Sequence, residues 1–427
     1  MWKLFYWAFA FSLCVLMGCK DDGVRVEVVR YAINEPVFMS ISEFRNSVKV
    51  TDEVVPITKR GKICFYKGYL YISSPDKGIH IVDNRNPASP RIAGFVELIG
   101  NEDLSIKDDK LYADSYVDLV WFDISDPERP ELEGRVENAF RYALPTIENG
   151  YGFDYNMCYS EEARAKGVVV GWEPKEREET IYHYPSYGGD LMANDAAPGT
   201  STQGVNGASK ATRASPARFS IYGKYLYTVE QNIMCVFDLS GDKPVLTTND
   251  IWLQRDVETL FNYKDKMFMG TPTGMLIYSL EDPLAPKYRS SVSHVFGCDP
   301  VVVEDDLAYV TVHSGNTCGQ NTNELMLIDV SDVDQPNLLV TYGMKCPKGL
   351  GIDNGTLFLC DEGLKVFNAK DPMTLLANQL VHYAGMEGYD VIPFRNTLMM
   401  IADDGLYQYD YSNLQAISQL SKLPMGE

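Results

Sequence analysis

The sequence predicts an all-β fold, a seven-bladed β-propeller of four-stranded blades with an irregular insertion after the second blade, and three observations carry that expectation. Residues 110–130, KLYADSYVDLVWFDISDPERP, hold a short apolar strand, a polar turn, a second strand ending in Phe122-Asp123, and a turn closed by Asp126-Pro127 and Pro130. Related versions recur at 69–90, 225–244, 266–286, 307–336, 356–372 and 397–414, which makes seven copies. Marked at the Asp123 position, the copies fall at Asp83, Asp123, Asp238, Ser279, Asp329, Asn368 and Asp410, at intervals of 40, 115, 41, 50, 39 and 42 residues. A period of roughly 40 to 45 residues built from four short strands is what a propeller blade requires.

A chain of 427 residues would by length alone suggest two or three domains. The repeat overrides that, because blades bury their faces on neighbouring blades and cannot be cut apart. Lys and Arg number 38 against 59 Asp and Glu, a formal charge of −21. Such a field repels nucleic-acid phosphate, so a nucleic-acid partner is not expected.

Residues 1–18 read as a leader. One cation, Lys3, precedes an apolar run from Leu4 to Met17 that is short for a membrane span and sits at the extreme N-terminus. Leu16-Met17-Gly18-Cys19 resembles the lipobox of bacterial lipoproteins, which implies that Cys19 is acylated, with chains such as palmitate, and becomes the first mature residue. Lys20-Asp21-Asp22 resembles the signal that sends Bacteroidetes lipoproteins to the outer face of the outer membrane; a periplasm-facing tether is the alternative. Loss of Lys3 with the leader takes the formal charge from −21 to −22. The expected membrane contact is the lipid on residue 19, with the folded body in water.

Residues 19–55 form the expected tether and a short docking segment. Val24, Val26, Val28 and Val29 suggest a short strand or an extended tether, and residues 39–45 suit one helical turn capped by Ser40 or Ser42. The propeller is expected over 56–420. Blade one reads as 62–66, 69–73, 78–83 and 91–96, its imperfect alternation fitting strands covered on both faces. Blade two repeats this over 103–136, blades three and four around 218–251 and 256–290, and blade five adds a longer inner turn at 313–324. Blade six runs over about 348–379 and blade seven from about 388. Its last segment, read at 414–420, leaves little chain to swap across the closure, so packing between first and last blades is expected to close the ring. The recurrent Asp-x-Ser-Asp-Pro supplies an Asx or Ser turn with a proline-fixed backbone, a simpler account than calcium, which needs six to eight oxygens from one compact loop.

Between 137 and 217 the period fails, with about 75 residues beyond a normal interval. Gly167 to Trp172 suits a strand, Glu173 to Glu179 is charged, and 193–216 is small and polar, reading as a mobile loop. The insertion proper, 140–217, is crowded with aromatics. Anchoring the insertion on the ring accounts for them; recognition is the sharper account, and both can hold. The candidate binding residues are Tyr151, Phe153, Tyr155, Trp172, Tyr182, Tyr184 and Tyr187.

The copies, above all Leu70-Tyr71-Ile72 with Gly78-Ile79-His80-Ile81-Val82-Asp83, and Leu325-Met326-Leu327-Ile328-Asp329-Val330-Ser331, resemble the LVIVD repeat. That resemblance implies a β-propeller in a surface or exported bacterial or archaeal protein, and it carries no catalytic residues. The insertion departs from it.

An envelope location permits disulfides. With Cys19 lipidated seven cysteines remain, and a bond from Cys318 to Cys298 or Cys346 would staple the long blade-five turn; Cys64, Cys235 and Cys360 read as core. The five histidines form no HExxH or close Cys-paired zinc pattern, so turn and surface roles are expected, with no metal and no cofactor. No GxSxG elbow or phosphate loop occurs. The best enzymatic constellation is Asp103, Glu258, Asp299 and Asp390, near the starts of innermost strands around the axis. The leading expectation is a non-catalytic envelope or cell-surface module that binds an envelope protein or a glycan through one propeller face and the insertion. A glycan-cleaving hydrolase or lyase using the axial carboxylates is the first alternative, and a purely structural envelope protein the second.

Overall fold

In a computed structural model the described residues are 25–59, 61–183, 218–293, 300–313 and 322–426. Seven antiparallel sheets follow in chain order, each with its four repeat strands side by side in sequence order. Blade one comprises Ile63–Tyr66, Tyr69–Ser74, Gly78–Asp83 and Arg91–Glu97; blade seven comprises Gly388–Phe394, Thr397–Ala402, Gly405–Asp410 and Ser418–Pro424. First strands of successive blades touch one another, so they are innermost and surround the axis. Second and third strands are almost wholly buried, as in Tyr69–Ser74 and Gly274–Ser279, because both faces are covered by neighbouring blades.

The turn between third and fourth strands explains the recurring acidic motif. In every copy the side chain at the Asp123 position accepts the backbone N–H two residues on: Asp83 from Arg85, Asp123 from Ser125, Asp238 from Ser240, Ser279 from Glu281, Asp329 from Ser331, Asn368 from Lys370 and Asp410 from Ser412, at 2.7–3.3 Å. These are Asx and Ser turns. The same turn also fastens blade to blade. Tyr71 donates to the Pro127 carbonyl at 2.8 Å, Lys110 to Asp242 at 3.1 Å, Tyr227 to Pro283 at 2.8 Å and Ser290 to Val333 at 2.6 Å. Tyr342 donates to Pro372 at 2.8 Å, Tyr383 to Ile417 at 2.5 Å, and Ser421 of blade seven to Pro87 of blade one at 2.6 Å. Each seam therefore has at least one side-chain donor on the next blade's outer-turn carbonyl, a bond worth about 1 kcal/mol in a typical case.

Packing closes the ring. Ile63, Leu70, Ile72 and Val82 of blade one meet Met399, Ile401 and Leu406 of blade seven, with Met425 and Ile57 completing the cluster. Asn84 and Gln408 exchange hydrogen bonds across the seam at 2.9 and 2.7 Å. The blade strands extend to Pro424, and β2 (Lys49–Thr51) joins the outer edge of blade one beside Phe95–Glu97, so the sheets extend past 56–420 at both ends.

Ahead of β2, α1 (Ile41–Arg45) is the expected turn, with the Ser40 hydroxyl accepting the Glu43 N–H at 3.3 Å. Preceding it, β1 (Arg25–Met39) pairs antiparallel with a return strand, Val168–His183, in a two-stranded ribbon. The sequence predicts a short strand or an extended tether at the first place and a strand from Gly167 to Trp172 at the second, ahead of the charged run from Glu173. Cross-strand pairs such as Arg30 with Glu178, at 2.5 Å, carry the ladder through that run. The polar 193–216 segment, Cys298 and Cys318 lie outside the described residues. Cys346 is an exposed thiol, Cys360 is buried, and Cys64 and Cys235 are half-buried, all free.

Candidate functional site

Alternating strand direction places three kinds of connection on one face of the ring: the starts of first strands, the turns between second and third strands, and the links from each fourth strand to the next blade. The insertion is such a link, from Glu131–Val136 to Phe219–Tyr222, and the long blade-five turn between Leu307–Val312 and Glu324–Asp329 opens the same way. As β2 runs antiparallel to the fourth strand of blade one, α1 and the ribbon also enter from this side. We call it the upper face.

The N-terminal segment is fastened there. Phe44 is buried against Tyr116 and Val168. The Arg45 guanidinium donates to both Asp118 oxygens at 2.9 and 3.1 Å, and Arg135 adds a third bond at 2.9 Å. Asp118 also accepts the Asn138 N–H at 2.8 Å, which fixes the chain as it leaves blade two.

The chain re-enters through a second charged clamp. Asp103, fully buried, accepts the backbone N–H groups of Leu104, Arg218 and Phe219 and pairs with Lys62 at 3.1 Å. Lys62, on the first blade, also donates to the Phe219 carbonyl of the third at 2.9 Å. Arg218 pairs with Asp114 at 2.7 Å and Glu102 at 3.1 Å. Burial pushes the Asp114 carboxyl up to about 7 against the pull of Arg218. With its lone pairs engaged by four donors, Asp103 serves as a structural clamp rather than a free acid.

Asp390 differs. It lies on the opening strand of blade seven, close against Gly349, accepts the N–H of its own neighbour Val391 at 2.9 Å, and stays open to solvent at the axis. The surrounding protein still desolvates it and pushes its carboxyl up to about 6, with the Lys62 charge acting in the other direction. Lys348, at the entry to blade six, lies 3.8 Å from the Tyr389 ring centroid and pairs with Glu387. Glu258 is placed by its N–H to the Gly270 carbonyl at 2.9 Å, at the entry to blade four. Asp299 lies outside the described residues. Of the four candidate carboxylates, Asp103 and Asp390 are thus connected through the field of Lys62, and Glu258 sits at an equivalent entry two blades from Asp103.

The insertion places part of its aromatic set on the surface. Tyr151 and Tyr155 are 43% and 56% exposed. Tyr155 rests on Tyr159 at 4.4 Å between ring centroids, and Tyr159 on Tyr142 at 5.8 Å. Phe153 and Trp172 are half-buried, 5.1 Å apart, and the Trp172 indole donates to the Pro145 carbonyl at 2.9 Å. The side chain of Tyr182, and Tyr184 and Tyr187 entirely, lie outside the described residues, as does Cys19. An open groove of about 650 Å³ between the outer parts of blades two and three is lined by Trp121, Glu133, Lys243 and Val245, away from these residues.

His80 departs from the turn or surface role expected of the histidines. It is buried in blade one against Phe95, with ring centroids 4.7 Å apart, and burial pulls it down to about 4, so it is neutral in the core. No group of three or more His, Cys, Asp or Glu suited to a metal occurs among the described residues. Sequence reasoning missed Lys62, Asp114, Asp118 and Arg218; the available signal was Asp114, an acid among the buried residues of the second strand of blade two, and Asp118 at the start of the third.

The LVIVD repeat model matches residues 61–97, 102–138 and 299–343. The chain carries the LVIVD repeat. Its seven-bladed ring is similar to the periplasmic gluconolactonase PpgL of Pseudomonas aeruginosa, with TM-score 0.50 and 11% identity over 88% of this chain and 97% of that one. It is also similar to a Bacteroides fragilis protein provisionally named a 6-phosphogluconolactonase, with TM-score 0.50 and 9% identity over 86% and 94% of the two chains. At such identity the likeness concerns the fold. No curated protein is similar in sequence at a significant level.

Proposed function

We propose that this LVIVD-repeat propeller is a Bacteroidetes-type lipoprotein of the outer membrane, held by acylated Cys19 and exposed at the cell surface, that binds an envelope protein or a glycan through its upper face. One observation carries the reading: the insertion opens on the same face as the N-terminal ribbon and presents Tyr151 and Tyr155 to solvent beside packed aromatics. Rigid, amphipathic Tyr side chains give contact area at low entropy cost. The mature protein, used as bait in envelope extract and on immobilised glycans, is expected to retain a specific partner, and Tyr151→Ala with Tyr155→Ala to lose most of it. Unchanged recovery with the Tyr variants would sink the aromatic site, and no retained partner with the parent protein would sink the reading. Cys19→Ala should release the protein from the membrane fraction and abolish palmitate labelling.

A second reading, glycan-directed hydrolysis or lysis at the axis, is favoured by Asp390, an accessible carboxyl pushed up to about 6 and so suited to proton transfer near neutral pH. The lactonase names belong to the fold neighbours. Turnover of an envelope glycan by the purified protein, lost in Asp390→Asn, would establish this reading.

A further inference from the structure

Among the described residues the ribbon is tied to the rest of the insertion at Asn34 and at Arg177, which donates to the Met157 sulfur at 3.1 Å. Asn34 donates to the Asn149 side chain and the Tyr151 carbonyl at 2.9 Å each, and its N–H meets the Gly152 carbonyl at 2.8 Å, so the outer edge of β1 is partly occupied there. Farther out, Val26 and Val28 are 55% and 57% exposed and Arg30, Glu178, Glu179 and Thr180 are exposed as well. The sheet has two strands, so among the described residues the outer edge of the return strand carries no neighbour. Two strands alone are marginal in water, and an open edge is normally blunted by proline, lysine or a bulge. Here Pro174 and Lys175 lie opposite Asn34 and Ile33 near the middle of the ribbon, the one register shift lies between Val37 and Phe38, and 176–181 runs on regularly without proline, lysine or bulge, its charges alone guarding the edge.

The charges on that edge point to what would cover it. Lys175 and Arg177 are taken up by Glu35 at 3.6 and 3.0 Å, and Glu178 by Arg30. Glu176 and Glu179, on opposite faces of the strand, have no ion-pair partner among the described residues and are exposed. A second copy pairing edge to edge would set the acidic run 176–179 against itself, which is unfavourable.

We propose that the 176–181 edge accepts an extended, cationic segment of a partner protein as a third strand, backbone ladder supplying affinity and Lys or Arg opposite Glu176 and Glu179 supplying selectivity. This rests on the reading of the chain as a binding module and names the chemistry of one partner segment.

The test uses the mature full-length protein and a fluorescein-labelled eight-residue peptide of Val and Thr with two Lys three residues apart, one on each face of the strand, read by fluorescence polarisation. The expected result is saturable binding, weakened roughly tenfold or more by each of three changes: Glu for Lys in the peptide, N-methylation of alternate peptide nitrogens, and the E176K/E179K protein. The two substitutions lie on an exposed arm, so the melting temperature should not move. Equal binding of the N-methylated peptide would reduce the effect to general attraction by an acidic protein and overturn the proposal. So would equal binding by E176K/E179K, or a dimer in solution that this double variant dissolves. If E176K/E179K binds no less peptide while Tyr151→Ala with Tyr155→Ala loses the envelope partner, the arm proposal fails and the module stands; an envelope partner retained by the Tyr variants while the peptide ladder is confirmed fails the aromatic site alone.

Discussion

Two seams of the ring interrupt the regular succession of blades, and they are joined differently. Between blades seven and one, where the last blade meets the first, Leu70 and Ile72 interleave with Met399 and Leu406, the Phe65 and Phe394 rings lie 4.3 Å apart, and the side-chain polar contacts are neutral, Asn84 with Gln408 and Ser421 on the Pro87 carbonyl. Between blades two and three, where the chain leaves for the insertion and returns, an apolar cluster around Trp121 and Phe219 is supplemented by Lys62, Glu102, Asp103, Asp114 and Arg218. Apolar burial is strong but non-directional, which suffices where two complete blades meet face to face. A strand arriving from a long excursion must also be told where to begin, and the Asp103 bonds to the Arg218 and Phe219 N–H groups set that register directly.

The contrast can be broken at its strongest point. Asp103→Ala removes the buried acceptor of Lys62 and of three backbone donors, Leu104, Arg218 and Phe219, and a loss of about 3–5 kcal/mol in urea unfolding is expected. Leu406→Ala at the closing seam should cost about 3 kcal/mol, from lost burial and a residual cavity. A larger loss at Leu406 than at Asp103 would show that charge at the second seam is incidental.

The smallest expected effect concerns the axis and depends on pH. The folded protein holds the Asp390 proton more tightly than the unfolded chain does, with the carboxyl at about 6 against an ordinary 3.8. That contribution favours the fold below the ordinary value and is lost as pH rises through about 6. Asp390→Asn should therefore match the parent's urea midpoint near pH 4 and exceed it near pH 7, relative to that baseline. An offset that does not change with pH would place Asp390 outside a desolvating site.

Much of this was legible from residue spacing, and the illegible part has a common cause. The Asp123-type turn could be read locally, because an Asx turn needs only its own side chain and the N–H two residues later. Asp114 was visible as an anomaly: at its place in the second strand the other copies carry Ser73, Val229, Gly270, Thr311, Cys360 and Ile401. Its partner Arg218 lies 104 residues away at the far end of the insertion, and no periodicity reports on such a pair. The return strand was hidden for a similar reason, since a run such as Glu-Arg-Glu-Glu becomes a strand only when β1 lies beside it.

What the amino-acid order determined by itself is the repeating unit: strand, turn and strand are short-range, and seven echoes at one period leave little architecture but a ring. Which charges meet at the axis, where the insertion returns, and that the N-terminal segment and residues 168–183 share a ribbon were decided by tertiary structure. Many of those contacts, such as Asp114 with Arg218 and Lys62 with Phe219, join residues more than 100 positions apart, and their register comes from ring closure and from charges that meet only once the blades are in place.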